Sequence, residues 1–420
     1  MSQVQIQFLP SLRCLFDEPV NVTVKGLVPD QQVDLRAEVT DDKGVIFRSF
    51  ATYRAECNGE IDLSSSPSLG GNYTGIEPMG LFWSLRPETL HAKMNKKDVT
   101  KPYCVNIAVL DIKRPGKILA ELTNERYFMA EGVGRVPVKE ERIRGTLFIP
   151  PGEGPFPGVL DLYTFGGGLS EIRPCLLANK GFLVLTVSLY GYDDLPKKVS
   201  MIDLEYFEDA LMFLKKQPKL GNCGVGVLSL SKSGDLALSI ASLLPDVSAT
   251  VWINGCSANT MYPLHYKGIV IPPLMYDPQK TNPTKSGAVI IKGSMNDVTA
   301  EENKDTVIPI EKANGKFLFV ASQDDKMWDS CYYTEQAIKR LKSYGKQNYE
   351  VVTYPGAGHF LETPYIPFCH SSVHGVINMP VVWGGEPRNH AAAEVDLWKR
   401  IQLFFRYHLD ESISSRKAKL

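Results

Sequence analysis

The sequence has 420 residues, 44% apolar and 22% charged, a globular balance in a chain long enough for two cores. Lys plus Arg number 46 against 47 Asp plus Glu, which speaks against a polyanion-binding surface and so against nucleic acid. No apolar run reaches membrane-span length, residues 1–20 lack the apolar core of a signal peptide, and eight scattered cysteines without a C-x-x-C pair read as thiols of a reducing compartment, with no zinc site or disulfide framework.

Residues 1–140 read as β structure. Val20-Asn-Val-Thr-Val24 and Val33-Asp-Leu-Arg-Ala-Glu-Val39 alternate with period two. Asp41-Asp-Lys-Gly44 is turn-like, and residues 45–53 follow as a hairpin partner. Residues 103–110 and 119–129 add further strands. Short alternating strands separated by Gly, Pro and Asp indicate an immunoglobulin-like β-sandwich with one solvated face per strand. Residues 136–141 and 143–149 read as two more strands before the Pro/Gly cluster at 150–157, and the domain boundary is placed near 140.

From 141 to 410 apolar strands alternate with helices, the rhythm of an open, mostly parallel sheet. The strands fall at 158–162, 182–187, 225–228, 249–253, 317–320 and 349–354. The helices fall at 170–180, 205–215, 236–244, 334–342 and 391–407. Residues 257–312 interrupt this rhythm and read as an insertion over the strand ends.

In such sheets the reactive groups gather at the carboxyl ends of the strands. Ser231 follows one strand, Asp324-Asp325 a later one and His359 the last. Ser231 occupies a strand–turn–helix, the layout of a nucleophile elbow, with Ser229 and Ser233 where small residues are required. A serine hydroxyl is a weak nucleophile, so a base must take its proton, and a carboxylate must orient that base. His359 suits the first role. Asp325 is favoured over Asp324 for the second, being further along the turn. The Lys232 N–H, opening the helix, and the Gly166-Gly-Gly168 loop after the first strand would form the oxyanion hole. His370, His374 and His390 are alternative bases, read as structural.

With these motifs in view, the chain resembles the type I acyl-CoA thioesterases, a family shared with the bile acid-CoA:amino acid N-acyltransferases. The likeness runs through the β-rich amino-terminal part, Phe165-Gly-Gly-Gly-Leu169, Gly181-Phe, Tyr192-Asp-Asp-Leu-Pro196, the elbow, Gln323-Asp-Asp325, Gly356-Ala-Gly-His359, and Trp383-Gly-Gly-Glu-Pro-Arg388 with His390. It departs at the elbow, where serines replace the family's usual glycines at 229 and 233. The resemblance implies an α/β-hydrolase catalytic domain and hydrolysis of medium- to long-chain fatty acyl-CoA to fatty acid and coenzyme A. It puts the nucleophile on Ser231, the acid on Asp325 and the base on His359. The oxyanion would rest on the backbone of Lys232, Phe165 and Gly166. No metal or separate cofactor is implied, since coenzyme A is part of the substrate. Amino-acid N-acyl transfer is the rival activity; relatives that perform it carry cysteine at the nucleophile. A catalytically silent acyl-CoA-binding fold and a generic carboxylesterase are the others.

Residues 411–420 form a polar tail ending Ala418-Lys-Leu420, a close variant of the Ser-Lys-Leu peroxisomal address. With no secretory signal expected, that tail predicts a peroxisomal import receptor as partner and the peroxisome as location, with the cytosol as alternative.

Overall fold

The computed structural model describes residues 3–163 and 166–410. They form two compact units: one takes the described residues up to Ala130 together with Glu362–Cys369, the other Glu131–Leu361 and the described residues from His370 onward.

The first unit holds two sheets. Gln5–Leu9, Asn21–Lys25 and Ile61–Asp62 form a three-stranded antiparallel sheet. The other sheet is built on the antiparallel neighbours Ile118–Tyr127, Tyr103–Asp111, Gln32–Thr40 and Ile46–Arg54. Alternation in Gln32–Thr40 buries Val33, Leu35, Ala37 and Val39 on one face and leaves polar neighbours on the other, as the period-two pattern requires. Glu362–Cys369 joins this unit: the Tyr365 ring lies 5.7 Å from the Arg126 guanidinium, and Phe368 N–H donates to the Trp83 carbonyl at 3.1 Å.

In the second unit eight strands make one sheet. In chain order they are β1 (Gly134–Glu140), β2 (Ile143–Ile149), β3 (Phe156–Leu162), β4 (Leu183–Val187), β5 (Leu220–Leu230), β6 (Val247–Ile253), β7 (Lys316–Ser322) and β8 (Tyr349–Tyr354). Their spatial order is β1-β2-β4-β3-β5-β6-β7-β8. β1/β2 and β2/β4 are antiparallel, and the remaining pairs parallel. The helices are α1 (Ile172–Asn179), α2 (Leu204–Lys215), α3 (Ser233–Leu243), α4 (Ser330–Ser343) and α5 (Pro387–Leu409). This is the α/β-hydrolase arrangement. Val159, Leu160, Val227, Leu228, Val251, Trp252, Phe319 and Val320 are buried along the central strands, which explains why these read as continuous apolar runs without alternation.

The structure departs from the sequence reading at several places. Strand β1, placed before the boundary near 140, pairs along its whole length with β2 in the second unit. It is an edge strand, with Val136 44% exposed, so its polar/apolar alternation resembles that of the preceding strands. Residues 257–312, read as an insertion that interrupts the strand–helix rhythm, contain short strands at Leu264–Tyr266, Ile269–Ile271 and Val289–Ile290. α5 begins at Pro387, four residues before the start expected at 391; proline's fixed φ and missing N–H suit the first helical turn.

Candidate active site

β5 runs straight into α3, and the turn between them carries Ser231 at φ +60°. A side-chain-bearing residue in the left-handed region is strained, and here its backbone is held on both sides. Ser231 N–H donates to the Ile253 carbonyl at 2.9 Å, and Gly234 N–H to the Ser231 carbonyl at 2.7 Å. Ser229 fits where glycine is usual because its hydroxyl donates to the Val251 carbonyl of the neighbouring strand at 2.9 Å. Ser233 is buried at the start of α3.

Ser231 Oγ lies 2.7 Å from His359 Nε2, and His359 Nδ1 lies 2.8 Å from Asp325 Oδ2. Both the imidazole and the carboxylate are fully buried. The Asp325 carboxylate is well supplied with donors. Its Oδ1 accepts Met327 N–H at 2.8 Å and Trp328 N–H at 2.9 Å, and its Oδ2 accepts the Ser330 hydroxyl. Asp324 faces elsewhere: it accepts Gly385 N–H at 2.8 Å and pairs with Lys326 at 2.6 Å. Those contacts hold its carboxyl below the usual range against the opposing effect of burial.

The loop bearing His359 is pinned by Asn254, which the sequence reading did not single out, and by Trp383, whose motif it did. Asn254, at φ +47° just after β6, donates to the His359 carbonyl at 2.8 Å and to Ser322 Oγ at 2.9 Å, and accepts Ser322 N–H at 2.8 Å. The Trp383 carbonyl accepts the His359 N–H at 2.9 Å, while its ring stacks on the imidazole with centroids 5.5 Å apart. Gly384 stands at φ +79°, and a Cβ there would meet the Asp324 carbonyl oxygen at 1.9 Å, so Trp383-Gly-Gly closes against Asp324 only with glycine.

The alternative bases occupy other places. His390 grips the base loop from behind: Nδ1 accepts Gly358 N–H at 3.0 Å, and Nε2 donates to the Phe360 carbonyl at 2.8 Å. His374 stacks on Trp383 and accepts Val376 N–H at Nδ1 at 3.1 Å; burial first, and the proximity of His359 second, push its pKa down to about 4. The His370 carbonyl accepts the Trp383 N–H at 2.8 Å.

Lys232 opens α3, and its ammonium is buried against both oxygens of Asp235 at 2.8 and 2.9 Å. Asp235 also accepts Thr260 N–H and its hydroxyl, so the residue after Ser231 is anchored at its far end. The 163–168 loop springs from β3, where Asp161 is locked to Arg173. Of that loop Gly166 is described, with open space where a side chain would project, and Phe165 lies outside the described residues, as do Ala418, Lys419 and Leu420. Among the described residues, no group of three or more His, Cys, Asp and Glu side chains could hold a metal ion, and no helix is long and apolar enough to cross a membrane.

A serine, a buried imidazole and a buried carboxylate in hydrogen-bonded sequence can perform acyl transfer through a covalent ester. Comparison with known proteins narrows the acyl donor. The family profile "BAAT / Acyl-CoA thioester hydrolase C terminal" matches residues 202–411, and "Acyl-CoA thioester hydrolase/BAAT N-terminal region" matches residues 17–140. The chain is 46% identical over 402 residues to the human acyl-coenzyme A thioesterase 2, mitochondrial, covering 95% of this chain and 83% of that one. It is 45% identical over 402 residues to the human acyl-coenzyme A thioesterase 1, covering 95% and 96%. To the peroxisomal succinyl-coenzyme A thioesterase of Mus musculus it is 44% identical over 413 residues, covering 98% of each.

Proposed function

The chain belongs to the acyl-CoA thioester hydrolase/BAAT family, and from that premise we propose that it hydrolyses medium- to long-chain fatty acyl-CoA through an ester on Ser231. The observation that carries this reading is the continuous link from Asp325 through His359 to Ser231 Oγ, at 2.8 and 2.7 Å.

His359 Nε2 takes the Ser231 proton as Oγ bonds to the thioester carbon, and the imidazolium is stabilised by Asp325. The resulting oxyanion rests on the backbone N–H of Lys232 and on the 163–168 loop, Phe165 and Gly166 being its candidate donors. The carbon–sulfur bond then breaks, and coenzyme A leaves with the proton from His359. Water attacks the ester carbon, giving its proton to His359. The carbon–Oγ bond breaks, Oγ recovers a proton, and the fatty acid is released. Side chains and backbone suffice for every step, with coenzyme A entering as part of the substrate.

Water is the favoured acceptor because the nucleophile is serine. The test is thiol release from acyl-CoAs of graded chain length, with and without glycine or taurine, by native protein and by Ser231→Ala. Native protein should release free acid with either amine present, and Ser231→Ala should be folded and inactive. Amide product would replace hydrolysis by N-acyl transfer, and an active Ser231→Ala would remove the nucleophile assignment.

The relatives named above include both mitochondrial and peroxisomal proteins by name. With Leu420 as the carboxyl terminus, Ala418-Lys419-Leu420 would be gripped by a peroxisomal import receptor. An amino-terminal fluorescent fusion should reach peroxisomes, and the same fusion without these three residues should remain cytosolic. Diffuse fluorescence from both would make this a cytosolic enzyme.

A further inference from the structure

Ser231 Oγ has a second neighbour besides His359. The indole N–H of Trp328 donates to it at 3.2 Å. Trp328 is 4% exposed, and its ring packs edge-on to Tyr333, with centroids 6.5 Å apart, and beside His359 at 6.3 Å. Its backbone is placed by the acid itself, since Asp325 Oδ1 accepts Trp328 N–H at 2.9 Å. One carboxylate therefore organises both groups that reach Oγ. Oδ2 orients the imidazole, and Oδ1 folds the turn that delivers the indole.

The chemistry of the three partners leaves little freedom. An indole nitrogen can only donate, while a hydroxyl offers one proton and two lone pairs. Trp328 therefore takes one lone pair of Oγ. With Nδ1 donating to Asp325, Nε2 is the acceptor, so the hydroxyl proton points to His359. The remaining lone pair is left for the substrate carbon. Nor is the contact forced by burial alone, for Trp252 keeps its indole N–H buried with no partner among the described residues.

We propose that Trp328 is a further catalytic residue, whose indole N–H stabilises the negative charge developing on Ser231 Oγ during proton transfer to His359. It serves again in deacylation, when Oγ becomes the leaving group. The proposal rests on Ser231 being the nucleophile. A hydrogen bond to a charged acceptor outweighs one to a neutral acceptor, so its benefit is larger in the transition state than in the resting enzyme.

Trp328→Phe keeps an aromatic ring and removes the donor. The expected result is a folded protein whose kcat and kcat/KM fall together by about tenfold. KM and the pH midpoint of kcat/KM should be unchanged, because His359 keeps its own partners. Phosphonylation of Ser231 by a fluorophosphonate should slow by a similar factor. Independently of activity, the Trp328 indole N–H resonance in the ¹⁵N-labelled protein, assigned from its loss in Trp328→Phe or in Trp328→Tyr, should move in Ser231→Ala. Native kcat/KM in a folded Trp328→Phe overturns the proposal, and so does an indole resonance unmoved by Ser231→Ala. A loss that appears as raised KM or a shifted pH midpoint also overturns it, leaving Trp328 a packing residue. If Ser231→Ala itself hydrolyses acyl-CoA normally, the nucleophile assignment fails, an outcome distinct from native activity in Trp328→Phe beside an inactive Ser231→Ala.

Discussion

Replacing Asn254 by alanine tests whether the site is built by the ends of its strands. Four hydrogen bonds disappear: to the His359 carbonyl, to Ser322 Oγ, from Ser322 N–H, and a longer one of 3.4 Å to the Gly358 carbonyl. The His359 carbonyl retains the Leu361 N–H at 3.1 Å, so it is weakened without being stranded. Ser322 N–H loses its partner in a fully buried setting, which costs about 1–3 kcal/mol. The two shorter bonds donated by Asn254 contribute about 0.5–1.5 kcal/mol each, and the long one to Gly358 is left out of the sum. Alanine at φ +47° adds about 1 kcal/mol of backbone strain. The sum is about 3–7 kcal/mol, comparable with the whole stability of many domains. Urea unfolding of native protein, Asn254→Ala and Asn254→Gly separates the contributions. Glycine loses the same bonds without the strain, so it should be the more stable of the two variants. Both should lose thioesterase activity before they unfold globally, because Asn254 ties the end of β7 at Ser322 to the loop after β8 that carries His359. A loss below about 1 kcal/mol in Asn254→Ala, at the lower limit for one stranded buried donor, would refute the reasoning.

Asp325→Asn should lower kcat by roughly 10³- to 10⁴-fold, as removal of the acid does in serine triads, while Asp324→Asn should act more mildly through the Gly385 contact; steady-state kinetics showing the reverse ranking would exchange their roles. His374 gives a pH signature. Its folded pKa of about 4 lies below its ordinary value of 6.5, so the unfolded chain binds more protons between these values and stability falls as pH drops through that window. The full difference corresponds to at most about 3 kcal/mol. Melting temperatures measured from pH 7 to 4.5 should fall more steeply for native protein than for His374→Asn, and equal slopes would exclude His374 as the cause.

Much of this was legible because local pattern and global position agree. Ser231 directly follows its strand, and Asp325 and His359 come three and five positions after the ends of theirs, so their order could be read without coordinates. The start of α4 was less visible: Cys331-Tyr-Tyr resembles strand sequence, yet the helix begins at Ser330. Asn254 and Trp328 were hidden for another reason. Their partners lie 68 and 97 positions away for Ser322 and Ser231, and neither residue belongs to a motif whose spacing predicts such a contact. Trp383 stood in a recognisable motif, but its stacking on His359 depends on the turn that Gly384 permits. The left-handed conformation at Asn254 offers a physical clue, since asparagine directly after an apolar strand is a residue type that tolerates it.

The path of residues 362–369 has a consequence for dissection of the gene. The chain crosses between the two compact units after Ala130, after Leu361 and again after Cys369, so sequence modules and cooperative units do not coincide. A product ending at residue 130 would lack Tyr365, whose ring lies under the Arg126 guanidinium, and Phe368, whose N–H donates to the Trp83 carbonyl. A product beginning at 131 would instead carry an orphaned segment starting three positions after His359, with Thr363, Pro364, Ile366 and Pro367 deprived of their burial. Neither half is a self-sufficient cassette, and exchanging one between homologues requires transplanting a discontinuous pair of segments.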